Sequence, residues 1–426
     1  MLASLIAAFR LPDLRNRILF VFGMFAVFVV GLHIPVPGID RAAMENLFAG
    51  GGILGLMDVF SGGALKKFSI FAMGIAPYIN ASIIMQLLTI AVPHLEALAK
   101  EGEHGRKKIS QYTRYLTVIL AAMQAIGMNQ ILKGMGILEA SPFLFIQIVI
   151  TLTAGTAFLM WVGEQITDKG IGNGVSMVIF AGIVASLPTQ IKDTITYTAV
   201  GSIEPYQIAI LIIMFLGTVV GIVTIQQAQR KIPIQHVKRV VGNKVYGGSS
   251  SFLPLRVNSA GVIPIIFALS LQLFPATIAQ FFPATKGFGK WFQDVAIMFS
   301  PGAGAWAALV YAMLIIFFTY FYTAVTFNVP EVAENLKKYG SFIPGIRPGK
   351  PTLEYLDRVM TRITLAGAIF LAIIALMQYL VPEITKITTF QLAGGTSLLI
   401  VVGVALETMQ AIEAHLLMRH YEGFIK

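Results

Sequence analysis

The 426-residue chain is 56% apolar and only 12% charged, with a mean hydropathy of +0.77. Soluble domains carry about 25% charged residues, so this composition excludes a soluble globule and defines an all-α polytopic membrane protein. Cysteine is absent, which excludes disulfides, thiolate nucleophiles and cysteine metal sites. The histidines (His33, His94, His104, His236, His415, His420) have no pair at ligand spacing, and neither metal nor cofactor is expected.

The amino terminus, MLASLIAAFRLPDLRNR, runs into an apolar segment with no small-residue cleavage site, and reads as a retained first helix. Charge-poor windows near the roughly 17–25 residues of a spanning helix fall at about 18–34, 68–92, 115–132, 142–163, 171–191, 205–225, 259–281, 303–327, 363–382 and 392–414. An even count of ten puts both termini on one side. Assigning them to the cytoplasm leaves eight of the 31 Lys and Arg on the other face (Arg41, Lys66, Lys67, Lys133, Lys192, Lys286, Lys290, Lys386), where eight acidic residues cancel them. The whole net charge of +10 then lies inside, as the positive-inside rule requires.

Residues 50–92 depart from a simple span. Gly50, Gly51 and Gly52 open the stretch, Gly62 and Gly63 break it, and Lys66 and Lys67 follow; an uncharged run of spanning length begins only at Phe68 and contains Pro77. Broken backbone at membrane depth is tolerated where it is buried in protein or lines a cavity, so about 53–65 is expected to be a re-entrant half-helix. Two cytoplasmic segments exceed what the spans need. Residues about 226–258 alternate β-branched and basic residues around Gly242-Asn243, a hairpin pattern; residues about 328–362 are also basic. Such protrusions serve as anionic-lipid anchors or as docking surfaces for acidic or nucleic-acid partners.

The two halves resemble each other. Gly74-Ile75-Ala76-Pro77-Tyr78-Ile79 matches Gly261-Val262-Ile263-Pro264-Ile265-Ile266, and Gly174-Val175-Ser176-Met177-Val178-Ile179 matches Gly395-Thr396-Ser397-Leu398-Leu399-Ile400. With five spans per half (1–190 and 191–426), the repeats are inverted and the functional site falls at their interface near the midplane. What repeats there is aliphatic: Ile75, Ile79, Val175, Ile179, Ile266 and Ile400. Such residues either pack a bundle or close a pore by excluding water. Ionisable residues inside the spans are few, Glu407 being the clear case and Glu164 lying at a span end, which argues against a proton or ion relay. No catalytic motif survives: Gly349-Lys350 is followed by Pro351 where a phosphate loop needs Ser or Thr, and Gly170-Ile171-Gly172-Asn173-Gly174 is followed by Val175. The residues leave open a channel or a secondary transporter for a small amphiphilic solute, and no enzyme.

Several longer runs carry a more specific signal: Ser61-Gly62-Gly63-Ala64-Leu65, PYINASII (77–84), EGEHGRKKISQYTRY (101–115), FLMWVGEQITDKGIGNGVS (158–176), NSAGVIP (258–264), IPGIRPG (343–349) and GGTSLLIVV (394–402). In these the chain resembles the SecY family of bacterial protein-translocation channels over nearly its whole length. The resemblance implies ten helices in two inverted pseudo-symmetric halves, forming a pore that opens across the inner membrane and sideways into lipid. It implies a plug at about 53–65 (Leu54, Leu56, Met57, Phe60, Gly62, Gly63) and a pore ring of the six aliphatic residues above. Val175 stands where Ile is often found, which preserves the chemistry. A lateral gate of spans 2 and 7, with 3 and 8, would carry Asn80, Gln124, Gln272, Phe274 and Ile278. Arg347 matches an arginine that engages the SecA motor ATPase and the ribosome, and Lys238, Arg239 and Lys350 fit the same docking face. The other partners implied are the small membrane subunits SecE and SecG, membrane lipid and the translocating polypeptide.

Overall fold

The computed structural model describes residues 8–422 apart from 40–43, 45–57, 59–60, 135, 139–140, 202, 237–238, 242–243, 247–249, 280–286, 300–303, 388–389, 391 and 393. Its helices are α1 (Pro12–Leu32), α2 (Ala76–Ala91), α3 (Pro93–Lys100), α4 (Glu103–Gly134), α5 (Pro142–Lys169), α6 (Gly174–Ala199) and α7 (Pro205–Gln227). Strands β1 (Gln229–His236), β2 (Arg239–Val241), β3 (Lys244–Tyr246) and β4 (Ser250–Arg256) follow. Then come α8 (Ile263–Ala279), α9 (Phe288–Phe299), α10 (Ala305–Thr326), α11 (Val329–Lys338), β5 (Ser341–Phe342), α12 (Lys350–Thr385) and α13 (Thr396–Glu422). Proline punctuates this series: Pro12, Pro77, Pro93, Pro142, Pro205, Pro330 and Pro351 each sit in a first helical turn. There the missing N–H costs nothing and the fixed φ favours the helix.

Each of the ten expected windows falls on a helix. Among the described residues, eight helices are long and apolar enough to cross a membrane, and the pair α2–α3, bent by 98° at its break, makes a ninth. The seventh window holds α8, a shorter apolar helix of 17 residues. The bundle is an apolar solid within an apolar solvent. Phe28, Phe71, Leu159, Ile222, Tyr311, Phe318 and Leu371 share one buried cluster, while Phe22, Ile150, Ile213, Val220, Phe317 and Ile373 face outward, the pattern of helices surrounded by lipid. Threonines inside the spans, such as Thr117, Thr151, Thr218 and Thr319, donate to the carbonyl four residues back, which satisfies them without a partner helix.

The second window is corrected in detail. The uncharged run from Phe68 is not helical throughout: the helix begins at Ala76, and 62–75 is a series of turns with Phe68 at φ 43°. This irregular stretch is buried and hydrogen-bonded. Val36 N–H donates to Phe68 O (2.9 Å), Ile70 N–H to Ile34 O (3.0 Å), and Ser69 N–H to Ala64 O (2.9 Å). Phe71 stacks between Phe28 and Phe158, ring centroids 6.0 Å from each. At the second helix of this sandwich, α5, a Cβ on Gly155 would lie 1.9 Å from Ile70 O; only a glycine lets the turn lie that close.

The two long segments at about 226–258 and 328–362 are corrected from separate loops to one small domain. The hairpin expected around Gly242-Asn243 is there, with Val241 opposite Lys244, and it crowns a longer antiparallel pair, β1 with β4. Strand β5 adds to the other edge of β1, Gln235 opposite Phe342 and His236 opposite Ser341. Residues 328–362 therefore hold α11, β5 and the first turns of α12, which runs 36 residues instead of the 20 or so in its apolar window. Ile232 and Leu255 of the hairpin bury themselves with Ala333, Ile343, Leu356 and Met360.

Gly155→Ala is expected to cost about 1–3 kcal/mol, the usual penalty for overpacking, seen as a lowered melting temperature of the purified protein in detergent. Gly23→Ala, in open space within α1, serves as the control and should melt at or above the parental temperature.

Candidate functional site

The six aliphatic residues of the repeat come together. Ile75 caps α2 at its N-terminus and Ile79 follows one turn later. Val175 and Ile179 lie one turn apart at the start of α6, a start fixed by Asn173, whose Oδ1 accepts from Val175 N–H (3.0 Å) and Ser176 N–H (3.2 Å). Ile266 is on α8 and Ile400 on α13. Ile75, Ile179, Ile266 and Ile400 are buried in a single cluster, and Ile79 and Val175 pack against it half-buried. Four elements from distant parts of the chain thus contribute to one buried cluster. The matched glycines ahead of two of them, Gly74 (φ 55°) and Gly261 (φ 64°), share a left-handed backbone.

Helices α2 and α8 pack against each other, α2 also against α4, and α8 against α10. Asn80 and Gln124 are half-buried on α2 and α4. Gln272 is buried on α8, with Nε2 donating to Ala307 O of α10 at 3.2 Å and Oε1 left without a partner. Phe274 is exposed and Ile278 half-buried on the same helix. Beside this group Arg114 Nε donates to Glu164 Oε1 at 2.6 Å, tying α4 to α5.

Of the plug candidates, Leu54, Leu56, Met57 and Phe60 lie outside the described residues. Gly62 and Gly63 have φ of 74° and 81°, and a Cβ on Gly62 would meet Gly182 Cα of α6 at 2.9 Å. Two residues missed in the sequence close this turn. Asp58 Oδ1 accepts from Lys66 N–H (2.7 Å), and Ser61 Oγ donates to Asp58 O (2.9 Å) while accepting from Leu65 N–H (3.2 Å). Burial pushes the Asp58 carboxyl up from its usual range, against the pull of the Lys66 hydrogen bond and charge. The signal was available: Asp and Ser ahead of Gly-Gly are turn formers that bond their own backbone.

Arg347 is exposed on the turn between β5 and α12, and Lys350 is exposed as the first residue of α12, where Thr352 Oγ1 donates back to Arg347 O at 2.8 Å. Lys238 lies outside the described residues; Arg239 begins β2. The platform that carries them is joined by His236, a residue the sequence did not single out. Its Nδ1 is 2.8 Å from Ser341 Oγ of β5 and its Nε2 3.1 Å from Ser251 Oγ of β4. A second unforeseen link is Gln190 of α6, whose Oε1 accepts from Leu392 N–H at 3.1 Å across 202 residues.

The architecture is an apolar helical bundle whose buried core draws aliphatic side chains from these four elements, with a basic platform at one end. Solved structures share it: one described as a protein conducting channel has a TM-score of 0.63 at 16% identity, covering 94% of this chain and 92% of that one. Another, Sec61 in the canine ribosome-channel complex from the endoplasmic reticulum, has a TM-score of 0.62 at 16% identity with the same coverage. At those identities the likeness is one of fold. The SecY family model matches residues 69–409, and a protein translocase subunit SecY of Streptomyces scabiei is 45% identical over 445 residues, covering 100% of both chains. The chain belongs to the SecY family. It is a non-catalytic, pore-forming component of a protein-conducting channel, and the small-solute transporter reading is set aside.

His236→Ala removes the Ser341 hydroxyl contact that ties β5 to β1, together with the Ser251 contact to β4. Amide hydrogen exchange at Phe342 is expected to accelerate by roughly tenfold, the factor for about one hydrogen bond, while amides in α10 keep their parental rates.

Proposed function

We propose that the six aliphatic side chains form the seal of the channel, around which an extended polypeptide passes from the cytoplasm. The observation that carries this reading is that residues of α2, α6, α8 and α13 matched by the internal repeat share or border one buried cluster. A narrow aliphatic constriction excludes water and its ions without any charge to attract them. The segment around 53–65 acts as a plug on the outer side; the turn that Asp58, Ser61 and Gly62 make against α6 supports a hinge at its base. Lys67, exposed beside it with Nζ donating to His33 Nε2 at 3.0 Å, fits a hydrated outer funnel.

The packing of α2 against α8 supports a gate between them that opens toward lipid. Asn80, Gln124, Gln272, Phe274 and Ile278 are its proposed lining. Each Leu, Ile or Phe gains roughly 0.3–0.6 kcal/mol on entering the bilayer and each charged residue loses roughly 2.5–3.5. An open side therefore releases apolar segments and retains polar ones. The charge asymmetry of the loops supports ten spans in two inverted halves (1–190 and 191–426), with both termini in the cytoplasm of a bacterium. On that face Arg347, Lys350, Lys238 and Arg239 form the docking surface for the ribosome and the SecA motor, and SecE and SecG accompany the chain in the membrane. The ribosome-bound channel of the same fold supports the first of these partners.

Replacing Ile79 and Ile266 together by Asn brings amides into the seal and should raise the resting ion conductance of proteoliposomes severalfold; parental conductance would remove the ring from the mechanism. Arg347→Glu should cut motor-driven accumulation of protease-protected precursor by at least roughly tenfold, a loss of about 1.4 kcal/mol or more, with the melting temperature unchanged. Translocation at the parental rate would exclude Arg347 from docking.

A further inference from the structure

The seal, gate and docking surface leave one charge unused. Glu407 lies in the apolar stretch of α13, seven residues and therefore about 10.5 Å along the helix from Ile400. Charge at such a depth is costly and is by default functional. Its Oε1 sits against the chain at Gly261, where a Cβ would come within 2.8 Å, just before α8 begins. The opposite charge acting on it is Arg256, the last residue of β4 and the root of the cytoplasmic hairpin. The two are not in ion-pair contact. They face each other across a cavity of about 250 Å³ lined also by Gln226, Asn258, Gly261 and Tyr322.

Two polar atoms at this cavity are buried without partners, Asn258 Oδ1 and Gln226 Nε2. Asn258 is 7% exposed, with its Nδ2 already committed to Gly261 O at 2.9 Å. The orphans are one acceptor and one donor. Arg256 can supply the donor that Asn258 Oδ1 lacks, and Glu407 the acceptor that Gln226 Nε2 lacks. Buried polar groups left unpaired cost roughly 1–3 kcal/mol each, so an arrangement with the guanidinium drawn inward satisfies more groups than the one seen. The cavity gives it room.

We propose that Arg256 and Glu407 are positioning residues, an electrostatic link that closes when the cytoplasmic hairpin is engaged and so passes its displacement to α13 and to the root of α8. These two helices carry Ile400 and Ile266, and the link acts on the seal from one side through both. The inference rests on the docking and seal reading above.

The test uses inside-out membrane vesicles carrying the full chain with its accessory subunits, the motor, ATP and a secretory precursor. Three variants are compared: Glu407→Gln, Arg256→Glu, and the exchange Arg256→Glu with Glu407→Arg. The readouts are chain content of the membrane, motor affinity and the rate at which precursor becomes protease-protected. Each single variant is expected to slow protection roughly five- to tenfold, in the usual range of coupling between sites, with motor affinity within about twofold of the parent. The exchange should recover most of the rate. Glu407→Gln running at the parental rate overturns the link, as does an exchange no faster than the singles at parental membrane content. If the exchange does not accumulate, Glu407→Gln decides alone by the same criterion. A parent chain that protects no precursor would instead overturn the channel reading itself.

Discussion

The structure depends on one constraint: lipid offers no hydrogen bonds, so every backbone group at membrane depth must find its partner within the protein. Helices meet this automatically. The stretch 61–75 does not, and its survival at the centre of the bundle rests on specific substitutes. Residues 34–36 act as a short edge that pairs with Phe68 and Ile70, and the hydroxyls of Ser61 and Ser69 and the carboxylate of Asp58 take up turn amides. Gly155 clears the space in which the Ile70 carbonyl lies. Because these contacts end the irregular stretch at Ile75, α2 begins where it does, and Ile75 and Ile79 reach the central cluster on its first turn. Moving that start by one residue would rotate Ile79 by about 100° around the helix and take it out of the contact.

The same physics decides what could be read from the sequence. Each hydropathy window falls on a helix, and eight of the described helices are long and apolar enough to span, because a helix satisfies its own backbone and needs only enough apolar length. The pairing around Gly242-Asn243 was legible because a two-residue turn is local chemistry. That Ile79 and Ile266 belong with one apolar cluster was legible through the repeat, which compares them without any model of packing. What escaped was non-local. Nothing in SF at 341–342 announces a strand, since its partner is β1, some 105 residues away, and the pairing is completed by His236 and two serines. The start of α2 escaped because an uncharged run looks the same whether helix or buried turn. Gln190 escaped because an isolated amide in a span gives no hint that its partner is the backbone of Leu392.

Joining the two long segments into one domain has a mechanical consequence. Helix α12 runs unbroken for 36 residues, about 54 Å at 1.5 Å per residue, so its first turns are core of the platform and its later turns are core of the bundle. Leu356 and Met360 pack beneath the hairpin, while Leu371, Ile374 and Ala375 belong to the cluster that contains the aliphatic ring. A force on the platform therefore enters the membrane through a rigid element and not through a flexible tether. Helix α10 packs along α12 and is tied to it where Tyr320 donates to Thr361 O at 3.1 Å. That pairing stiffens the side of the bundle on which α8 rests.

The proposed seal of isoleucine and valine would have the right energetics for a channel that must close on nothing and also close on a moving chain. The ring residues are held by dispersion and by exclusion from water, forces that are non-directional and proportional to area. A polypeptide entering the constriction replaces one set of such contacts by another, so the resting and occupied states differ little in energy whatever the passing side chains are. Hydrogen-bonded closure would behave differently: each bond broken by an apolar side chain would leave a buried orphan at roughly 1–3 kcal/mol, and passage would depend on sequence. Specificity would then be free to reside elsewhere, at the proposed gate between α2 and α8, where partition over about 20 residues would choose between lipid and pore. The absence of charge from the ring follows from the same requirement. A fixed carboxylate or ammonium there would hydrate the constriction, and a closed channel would leak.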